Sequence, residues 1–333
     1  MFKQIDFLAI GDITTDAFIR IKDASVNCDI NKENCKLCVP FGDKIPYEFV
    51  KVVKAVGNSS NAAVCASRLG LNAGLVTDIG ADLNGKECVA ALKKEGVNTK
   101  LVSQHAGMET NYHYVLWYEE ERTIFIKHQE YPYSLPKIKP APKWIYFSSV
   151  APNSLHYHTE IVDYVRKNKD ETKLVFQPGT FQIKLGAEKL KELYELTYLF
   201  FCNVEEARKI TGRETAEVKE LLHAIHELGP KIVVITDGPK GAHSFDGSEI
   251  WFMPMYPDPK PPYERTGAGD AFSSTFTIAL ALGKSIPEAL TWGPINSMSV
   301  VQYVGAQEGL LRREKLEEFL KNAPETYKPQ KIS

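Results

Sequence analysis

Long hydrophobic runs are absent from this sequence of 333 residues. The longest apolar-rich stretch, 271–282, is interrupted by Ser and Thr and is too short to cross a bilayer. Asp6 breaks the apolar N-terminal segment, which therefore lacks the core of a signal peptide and is typical of a short buried strand. We expect a cytoplasmic protein that has no membrane partner.

An excess of charge of either sign is also absent. The chain carries 40 Lys and Arg against 42 Asp and Glu, and its formal net charge is -2. Because no long basic run occurs either, nothing in the charge pattern favours a nucleic-acid partner. Internal repeats and low-complexity tracts are missing. With 44% hydrophobic residues, the chain can bury a substantial core in one large α/β domain or in two ordinary ones.

Cysteine is scarce, with six residues in the chain. Three lie inside apolar periodic segments and are predicted to be small core residues: Cys65, Cys88 and Cys202. The other three share one polar loop: Cys28, Cys35 and Cys38. Three clustered thiols could ligate zinc or an iron–sulfur cluster, but a fourth ligand is not evident nearby. A plain loop and redox-labile thiols are the alternatives.

Short apolar runs alternate with helical patterns along most of the chain. The predicted strands are 5–10, 73–79, 144–148, 173–176, 199–202 and 231–236. The predicted helices are 61–69, 85–95, 155–167, 204–211 and 216–228. Strands that alternate with helices of this length indicate right-handed βαβ units. We therefore expect an α/β fold in which helices cover both faces of a mostly parallel sheet.

Two segments break this alternation, 17–51 and 112–128. The second has the alternating pattern of a β-hairpin around a charged turn. Together they predict a small inserted β-sheet that acts as a lid, with a decorated sheet edge as the alternative. The proline-rich segment 254–262 predicts an extended loop. The main domain is predicted to cover 1–325, and residues 326–333 are predicted to form a loose C-terminal tail.

A phosphate-binding P-loop is missing, because no Gly-Lys-Ser/Thr follows a glycine-rich turn. The most informative stretch is instead Glu264-Arg265-Thr266-Gly267-Ala268-Gly269-Asp270, followed by an apolar helical run. Glycines at a helix start let backbone N–H groups and the helix dipole converge on one anion. Asp270 beside such an anion site can accept the proton of an attacking hydroxyl. The alternative is a glycine-rich helix start in which Asp270 is an ordinary N-cap.

Residues 266–270 resemble the C-terminal signature of the PfkB carbohydrate kinase family, the ribokinase-like kinases. Five further blocks resemble the family in the same order along nearly the whole chain: 57–63, 79–85, 203–206, 236–241 and 305–307. The resemblance implies a ribokinase-like three-layer α/β/α fold with a small inserted β lid. It also implies an ATP-dependent transfer of the γ-phosphoryl group to a substrate hydroxyl.

The resemblance assigns roles to individual residues. Asp270 resembles the general base, and Gly267, Ala268 and Gly269 resemble the anion hole. Glu206 resembles the residue that orders Mg²⁺, a cation that keeps part of its hydration shell when it bridges phosphates. The residues that resemble nucleotide contacts are Asn203, Thr236, Gly238, Gly241 and, beside the adenine, Asn296. Without the resemblance, Asn203 could simply cap a helix and Glu206 could be a solvated first-turn carboxylate.

On the acceptor side, Asp16 and Asn61 resemble the groups that hold substrate hydroxyls, and Gly57 allows close approach. Asp12 is a weaker candidate, since both aspartates could be turn residues after the first strand. The chain departs from the family pattern at several positions: Thr14, Val56, Gln177, Glu264 and Arg265. These departures leave open which acceptor is used and whether a monovalent cation binds near the signature.

The predicted function is therefore a kinase that acts on a sugar or a related small molecule. A nucleoside kinase is the main alternative, because aromatic residues of the lid could stack on a base: Tyr112, Tyr114 and Trp117. A non-catalytic sugar or nucleotide binder is the third. A phosphorylated sugar would require a basic residue near the lid, for which the candidates are Arg20, Lys22 and Lys54. The resemblance also implies a homodimer formed through the lid, since an inserted small sheet leaves edges to cover.

Overall fold

The computed structural model describes residues 4–29, 35–119 and 121–332. Its strands are β1 Phe7–Ile10, β2 Thr14–Ile21, β3 Ser25–Asn27, β4 Lys36–Cys38, β5 Tyr47–Val56, β6 Ala73–Gly80, β7 Asn98–His105, β8 Tyr112–Tyr118, β9 Glu121–Phe125, β10 Trp144–Phe147, β11 Lys173–Phe176, β12 Thr197–Asn203, β13 Ile232–Thr236, β14 Ala242–Phe245, β15 Ile250–Met253 and β16 Gln330–Lys331. Its helices are α1 Asn58–Arg68, α2 Leu83–Lys94, α3 Leu155–Lys167, α4 Thr180–Leu185, α5 Lys191–Leu196, α6 Val204–Thr211, α7 Val218–His226, α8 Ala268–Ala281, α9 Ile286–Val300 and α10 Arg313–Lys321.

A ten-stranded sheet forms the centre of the molecule, in the order β16-β15-β14-β13-β12-β11-β10-β1-β6-β7. The seven strands from β13 to β7 in this order are parallel, and β14, β15 and β16 are antiparallel. All four residues of β1 and of β10 are buried. Such uninterrupted apolar strands are typical of a parallel sheet that is covered on both faces.

The two faces of the sheet bury separate hydrophobic clusters. Along β1, Phe7 and Ala9 belong to one cluster, and Leu8 and Ile10 belong to the other. This division follows from the alternation of side chains along a strand. The predicted three-layer α/β/α architecture with a mostly parallel sheet is therefore confirmed. No helix among the described residues is long and apolar enough to cross a membrane.

A second sheet of four strands, in the order β5-β2-β8-β9, makes up the small inserted sheet. One face packs through Phe18, Val115 and Trp117 against Val304 of the main domain. The first predicted segment, 17–51, is too short at both ends, because β2 starts at Thr14, which pairs with Val56 at the end of β5. The second predicted segment, 112–128, contains β8 and β9. We refer to this four-stranded sheet as the lid.

The cysteine-rich loop of the lid contains a disulfide bond between Cys28 and Cys35. It closes the short ladder of β3 and β4, in which Ser25 pairs with Cys38. The disulfide occupies two of the three thiols that could have ligated a metal, and no group of three or more metal-ligating side chains occurs within the described ranges. Residues 30–34 of this loop lie outside the described residues. Cys65, Cys88 and Cys202 are buried, as predicted.

The C-terminal residues differ from the predicted loose tail. Gln330 and Lys331 pair with Phe252 and Trp251 as a tenth strand of the central sheet. Tyr327 is buried and packs against the ring of Tyr256, with 4.9 Å between ring centroids. Without the tail, the edge strand β15 would leave backbone N–H and C=O groups unpaired. Pairing with the tail supplies their hydrogen-bond partners. By contrast, the proline-rich segment 254–262 is free of helix and strand, as predicted.

Candidate active site

Asp270 lies in the first turn of α8, and its carboxylate accepts hydrogen bonds from three side-chain amides. Oδ1 accepts from Asn58 Nδ2 at 3.0 Å and from Gln177 Nε2 at 3.1 Å. Oδ2 accepts from Asn61 Nδ2 at 2.8 Å. Asn58 and Asn61 come from α1, and Gln177 follows the end of β11, so two separate parts of the chain fix the orientation of one carboxylate.

Burial and these amides act on the pKa of Asp270 in opposite directions. Burial raises the pKa above its ordinary value because it disfavours the charged form. Hydrogen bonds from Asn61, Gln177 and Asn58 lower it because they stabilise the charged form. Burial is the larger effect, so the carboxylate is a stronger base than an exposed aspartate. A raised pKa is what a general base for a hydroxyl requires.

The glycine-rich turn before Asp270 starts the helix in a conformation that only glycine adopts readily. Gly267 has φ 82° at the N-cap of α8, and a Cβ atom there would lie 2.2 Å from the Cβ of Ala306. The amides of Gly269 and Asp270 have no acceptor inside the helix, because they belong to its first turn. Together with the helix dipole, they form a binding site for an anion.

These elements surround a cavity of about 200 Å³, which we call the transfer cavity. It is lined by Asn58, Arg122, Gln177, Phe201, Cys202, Asn203, Glu206, Thr236, Arg265, Gly267, Ala268, Gly269, Asp270 and Ser273. The strands β11, β12 and β13 all end here, at the carboxyl edge of the parallel sheet, where ligands bind in folds of this kind. The structure thus brings the predicted base, anion hole, Asn203, Glu206 and Thr236 to one place.

Asn203 and Glu206 are joined by a reciprocal cap at the start of α6. The Glu206 N–H donates to Asn203 Oδ1 at 2.8 Å, and the Asn203 N–H donates to Glu206 Oε2 at 2.9 Å. Burial, and then the charge of Asp270, raise the pKa of Glu206. Two carboxylates that repel each other across one cavity suit a divalent cation, since Mg²⁺ prefers oxygen ligands and offsets their charge. Both the helix cap and the metal role are compatible with this geometry.

A second cavity of about 380 Å³ adjoins the first, and we call it the nucleotide cavity. Four residues line both cavities: Thr236, Arg265, Ala268 and Gly269. The nucleotide cavity is also lined by Gly238, Pro239, Gly241, Met255, Tyr256, Pro257, Asp258, Pro262, Phe272, Ser297, Met298 and Val301. Its many apolar walls suit a flat aromatic base, and the four residues shared with the transfer cavity suit a phosphate chain that extends towards it.

Asn296 does not reach the nucleotide cavity. Its side chain is fully buried, with Nδ2 donating to Thr275 Oγ1 at 2.8 Å and Oδ1 accepting from the Leu311 N–H at 2.9 Å. The amide therefore links α9 to α8 and to the segment before α10. The next two residues of α9, Ser297 and Met298, line the cavity instead.

The predicted acceptor residues are divided between two places. Asn61 contacts Asp270 directly, and Gly57 has φ 120°, with a Cβ atom there only 2.8 Å from the Asp12 carbonyl oxygen. Asp12 and Asp16 lie outside the two cavities, in a buried polar cluster between β1, the lid and residues 128–133. The Tyr133 hydroxyl donates to both carboxylate oxygens of Asp12, at 3.0 and 2.8 Å.

Two histidines complete this cluster. His128 Nδ1 lies 3.6 Å from Asp12 Oδ2, and His113 Nδ1 lies 3.4 Å from Asp16 Oδ1. The two imidazole rings are 5.2 Å apart. Burial raises the pKa of Asp12, while His128 and Tyr133 lower it. The spacing of the two histidines in the sequence does not identify them. Their contacts with the aspartates form only when β2 and β8 of the lid and the loop after β9 come together.

The sequence did not identify four residues of the transfer cavity as functional. Asn58 lies inside a family-like block, and Gln177 and Arg265 were noticed only as departures from the family pattern. Arg122 lies in the charged turn of the lid hairpin. By contrast, the lid cations Arg20 and Lys22 contact Glu48, and they do not line the cavity. Lys54 contacts Glu87.

Two of the three lid aromatics, Trp117 and Tyr114, are not arranged for stacking on a substrate base. Trp117 is 1% exposed in the core of the lid, and its Nε1 donates to the Glu119 carbonyl oxygen at 3.0 Å. Tyr114 is 52% exposed, on the face of the lid that points away from Trp117. Trp117 therefore serves the packing of the lid, and Tyr114 lies on its outer surface.

The profile of the pfkB family of carbohydrate kinases matches residues 24–313, most of the chain. The chain belongs to the pfkB carbohydrate kinase family. Members of this family, such as ribokinase, are phosphotransferases with an alcohol group as acceptor, so this pfkB-family protein is a kinase of that class.

Relatives of this kinase differ in the acceptors that their names give. An ATP-dependent 6-phosphofructokinase from Thermoanaerobacterium thermosaccharolyticum is 26% identical over 317 residues, covering 91% of this chain and 90% of its own. The ribokinase of Arabidopsis thaliana, solved with ribose and ATP, matches with a TM-score of 0.78 and 20% identity, covering 96% and 99% of the two chains. The nucleoside kinase of Methanocaldococcus jannaschii has a TM-score of 0.75 and 18% identity, with the same coverage. The two structures confirm the ribokinase-like fold.

The hydrogen bond from Asn58 predicts a pH effect. Because this amide favours the charged form of Asp270, Asn58→Ala should raise the pKa of Asp270 further. A base must be deprotonated to act, so activity is lost as pH falls through its pKa. The acidic limb of kcat/KM should therefore move to higher pH in the variant.

The measurement is the pH profile of kcat/KM for wild type and Asn58→Ala at saturating ATP. Gln302→Ala is a matched control, since Gln302 donates to the Lys260 carbonyl oxygen outside the transfer cavity. An acidic limb that stays in place, or moves to lower pH, would argue against Asp270 as the titrating base.

Proposed function

We propose that this protein transfers the γ-phosphoryl group of ATP to a hydroxyl of a sugar or a related small molecule. One observation carries the proposal: a buried carboxylate with a raised pKa lies at the anion-binding start of α8, in a cavity that shares four lining residues with an apolar one. This arrangement supports a base, a phosphoryl group and a nucleotide held in adjoining cavities.

The proposed reaction is a single displacement. Asp270 takes the proton of the acceptor hydroxyl while that oxygen forms a bond to the γ-phosphorus. The bond between this phosphorus and the oxygen that bridges to the β-phosphate breaks, and ADP leaves with the bonding electron pair. The backbone amides at the start of α8 stabilise the charge on the oxygens of the transferred group. Asn58, Asn61 and Gln177 hold the carboxylate in the direction of the acceptor.

Glu206 is proposed to hold Mg²⁺, directly or through water. When bound, Mg²⁺ offsets the negative charge of the triphosphate and fixes its conformation. Asn203 keeps the Glu206 backbone in place through the reciprocal cap and contacts a nucleotide phosphate. Thr236, Gly238 and Gly241 border the route from the phosphates to the ribose in the nucleotide cavity.

Asp16 and Asn61 are proposed to bind acceptor hydroxyls, with Gly57 allowing the acceptor to lie close to the backbone. Asp16 Oδ1 and His113 Nε2 are buried and have no hydrogen-bond partner among the described residues. Unpaired buried polar atoms favour a hydroxyl-rich ligand that would supply the missing bonds. Asp12 holds Tyr133 and His128, so its role is to position the acceptor site rather than to contact the acceptor.

The monovalent-cation site that the sequence left open near the signature does not fit the residues present. Glu264, which precedes the anion hole, accepts at Oε1 from the backbone N–H and the hydroxyl of Thr266, and at Oε2 from the Gly305 N–H at 3.2 Å. Arg122 Nε lies 3.5 Å from Oε1. Hydrogen-bond donors and a guanidinium already surround this carboxylate, so we assign it no monovalent cation.

The outer face of the lid is proposed to form a homodimer. One row across the four strands consists of Val52, Ala17, Tyr114 and Phe125. Val52, Tyr114 and Phe125 are 44%, 52% and 56% exposed. An exposed apolar face on a sheet is typical of a surface that is covered by a partner, and the same face of a second copy is complementary in polarity.

Phe125→Glu should convert this dimer into a monomer, because it places two like charges in an apolar contact. Light scattering after size-exclusion chromatography measures the mass of each variant. Leu155→Glu is the matched control, since Leu155 is 43% exposed at the start of α3, on the main domain. A wild-type protein that is monomeric at high micromolar concentration would contradict the dimer.

The function itself is tested with a panel of neutral sugars, sugar monophosphates and nucleosides. Purified protein is incubated with ATP and Mg²⁺, and both ADP formation and the phosphorylated product are measured. We expect one class of acceptor to be phosphorylated with one ADP formed per product. Binding of ATP with no acceptor-dependent turnover across the panel would contradict the kinase and favour the non-catalytic binder.

A further inference from the structure

The proline-rich segment 254–262 supplies part of the lining of the nucleotide cavity, but regular secondary structure does not hold it. The segment contains neither helix nor strand, and it forms no backbone–backbone hydrogen bond with the described residues. Its prolines have no N–H group to donate. The position of this part of the cavity therefore depends on side-chain contacts. The residues that the segment contributes to the lining are Met255, Tyr256, Pro257, Asp258 and Pro262.

Tyr256 is the buried anchor of this segment, with 9% of its surface exposed. Its hydroxyl donates to the Phe319 carbonyl oxygen at 3.0 Å. Its ring packs edge-on against two other rings, with centroid distances of 5.8 Å to Phe319 and 4.9 Å to Tyr327. Phe319 belongs to α10, and Tyr327 belongs to the C-terminal tail. The end of the chain thus holds a residue that lines the nucleotide cavity.

Tyr327 also contacts α9, a helix that lines the same cavity. The Tyr327 hydroxyl donates to the Thr291 carbonyl oxygen at 2.5 Å. Further along this helix, Ser297 and Met298 contribute to the lining. Tyr327 itself is 5% exposed and is not among the residues that line the cavity. One buried side chain therefore connects two elements that border the nucleotide, the proline-rich segment through a ring contact and α9 through a hydrogen bond.

The tail holds Tyr327 from both directions along the chain. The helix α10 precedes it, and β16 follows it and pairs with β15, the strand that leads into the proline-rich segment. The Ile332 N–H also donates to the Ile250 carbonyl oxygen at 2.9 Å. A residue fixed in this way can hold its two neighbours at a constant separation, since buried side chains pack closely and shift little.

We propose that Tyr327 is a positioning residue that sets the separation of α9 and the proline-rich segment, and thereby the affinity of the nucleotide cavity for the base of its nucleotide. This inference rests on the proposed function, and it adds the C-terminal tail to the nucleotide site. Tyr327 touches neither the nucleotide nor the reacting atoms. Its effect is to keep the cavity at the width that fits a flat base before the nucleotide binds.

The first experiment compares the binding of ADP and of adenosine by calorimetry for wild type, Tyr327→Ala and Tyr327→Phe. Tyr327→Ala should lose about tenfold or more in affinity for both ligands, because both carry the base and the variant removes the ring and the hydroxyl. Tyr327→Phe keeps the ring against Tyr256 but loses the hydrogen bond to Thr291. A smaller loss of about threefold is expected for it.

Tyr164→Ala is the matched control. The Tyr164 hydroxyl also donates to a carbonyl oxygen, that of Ile138 at 3.3 Å, and its ring packs in the hydrophobic cluster on the other face of the central sheet. This variant should keep its affinity for ADP within twofold of wild type. If Tyr327 served only the stability of the fold, both alanine variants would lower the melting temperature and both would keep the wild-type affinity for ADP.

The second experiment measures kinetics with the acceptor that the panel identifies. Tyr327→Ala should raise KM for ATP about tenfold, while kcat and KM for the acceptor stay within threefold of wild type. This division is expected because the tail contacts the lining of the nucleotide cavity and not Asp270 or the anion hole. A fall in kcat with an unchanged KM for ATP would contradict the positioning role.

The proposal is overturned if Tyr327→Ala binds ADP within twofold of wild type, or if Tyr164→Ala shows the same loss. If Tyr327→Ala does not fold, Tyr327→Phe decides, and wild-type affinity for ADP in that variant overturns the proposal. Failure of the proposed function is distinguishable, since wild type would then bind ADP and phosphorylate no acceptor. A wild type that binds neither ADP nor adenosine would overturn the role of Tyr327.

Discussion

The hydrogen bonds from three amides to the carboxylate of Asp270 are the interaction on which the rest of the site depends. The donors, Asn58, Asn61 and Gln177, are separated from Asp270 by 212, 209 and 93 residues. They meet because β11 ends at the carboxyl edge of the sheet and because α1 packs against α8. The carboxylate is buried enough to be basic, yet it is held charged by neutral donors that cannot themselves take its proton.

The fold was largely predictable from the sequence, since alternating apolar runs and helical patterns are local signals. The glycine-rich signature was predictable for the same reason, because the conformation of Gly267 and the helix start at Ala268 depend on neighbours in the chain. The contacts of the amides with Asp270 were not, because α1 and the residue after β11 are distant from α8 in the sequence and only tertiary packing brings them together. Asn296 was wrongly predicted to lie beside the adenine. The sequence alone cannot show whether a polar residue of a helix lines a cavity or links helices in the core.

The structure of the lid was only partly predictable from local sequence patterns. Its hairpin was evident from alternation in 112–128, but alternation does not show which face meets the main domain. The orientation of the lid sheet places Trp117 in the core and Tyr114 on the surface, and it brings Arg122 to the transfer cavity. The disulfide between Cys28 and Cys35 likewise depends on the pairing of β3 with β4, which three clustered cysteines alone could not distinguish from a metal site.

The central claim is that Asp270 removes the proton of the acceptor. The most direct measurement is the single-turnover rate of phosphoryl transfer by Asp270→Asn, with ATP affinity measured on the same protein. Asn keeps the size of the side chain but cannot act as the base, so the account predicts a rate lower by about three orders of magnitude or more and an ATP affinity close to wild type. A rate within tenfold of wild type would contradict the account.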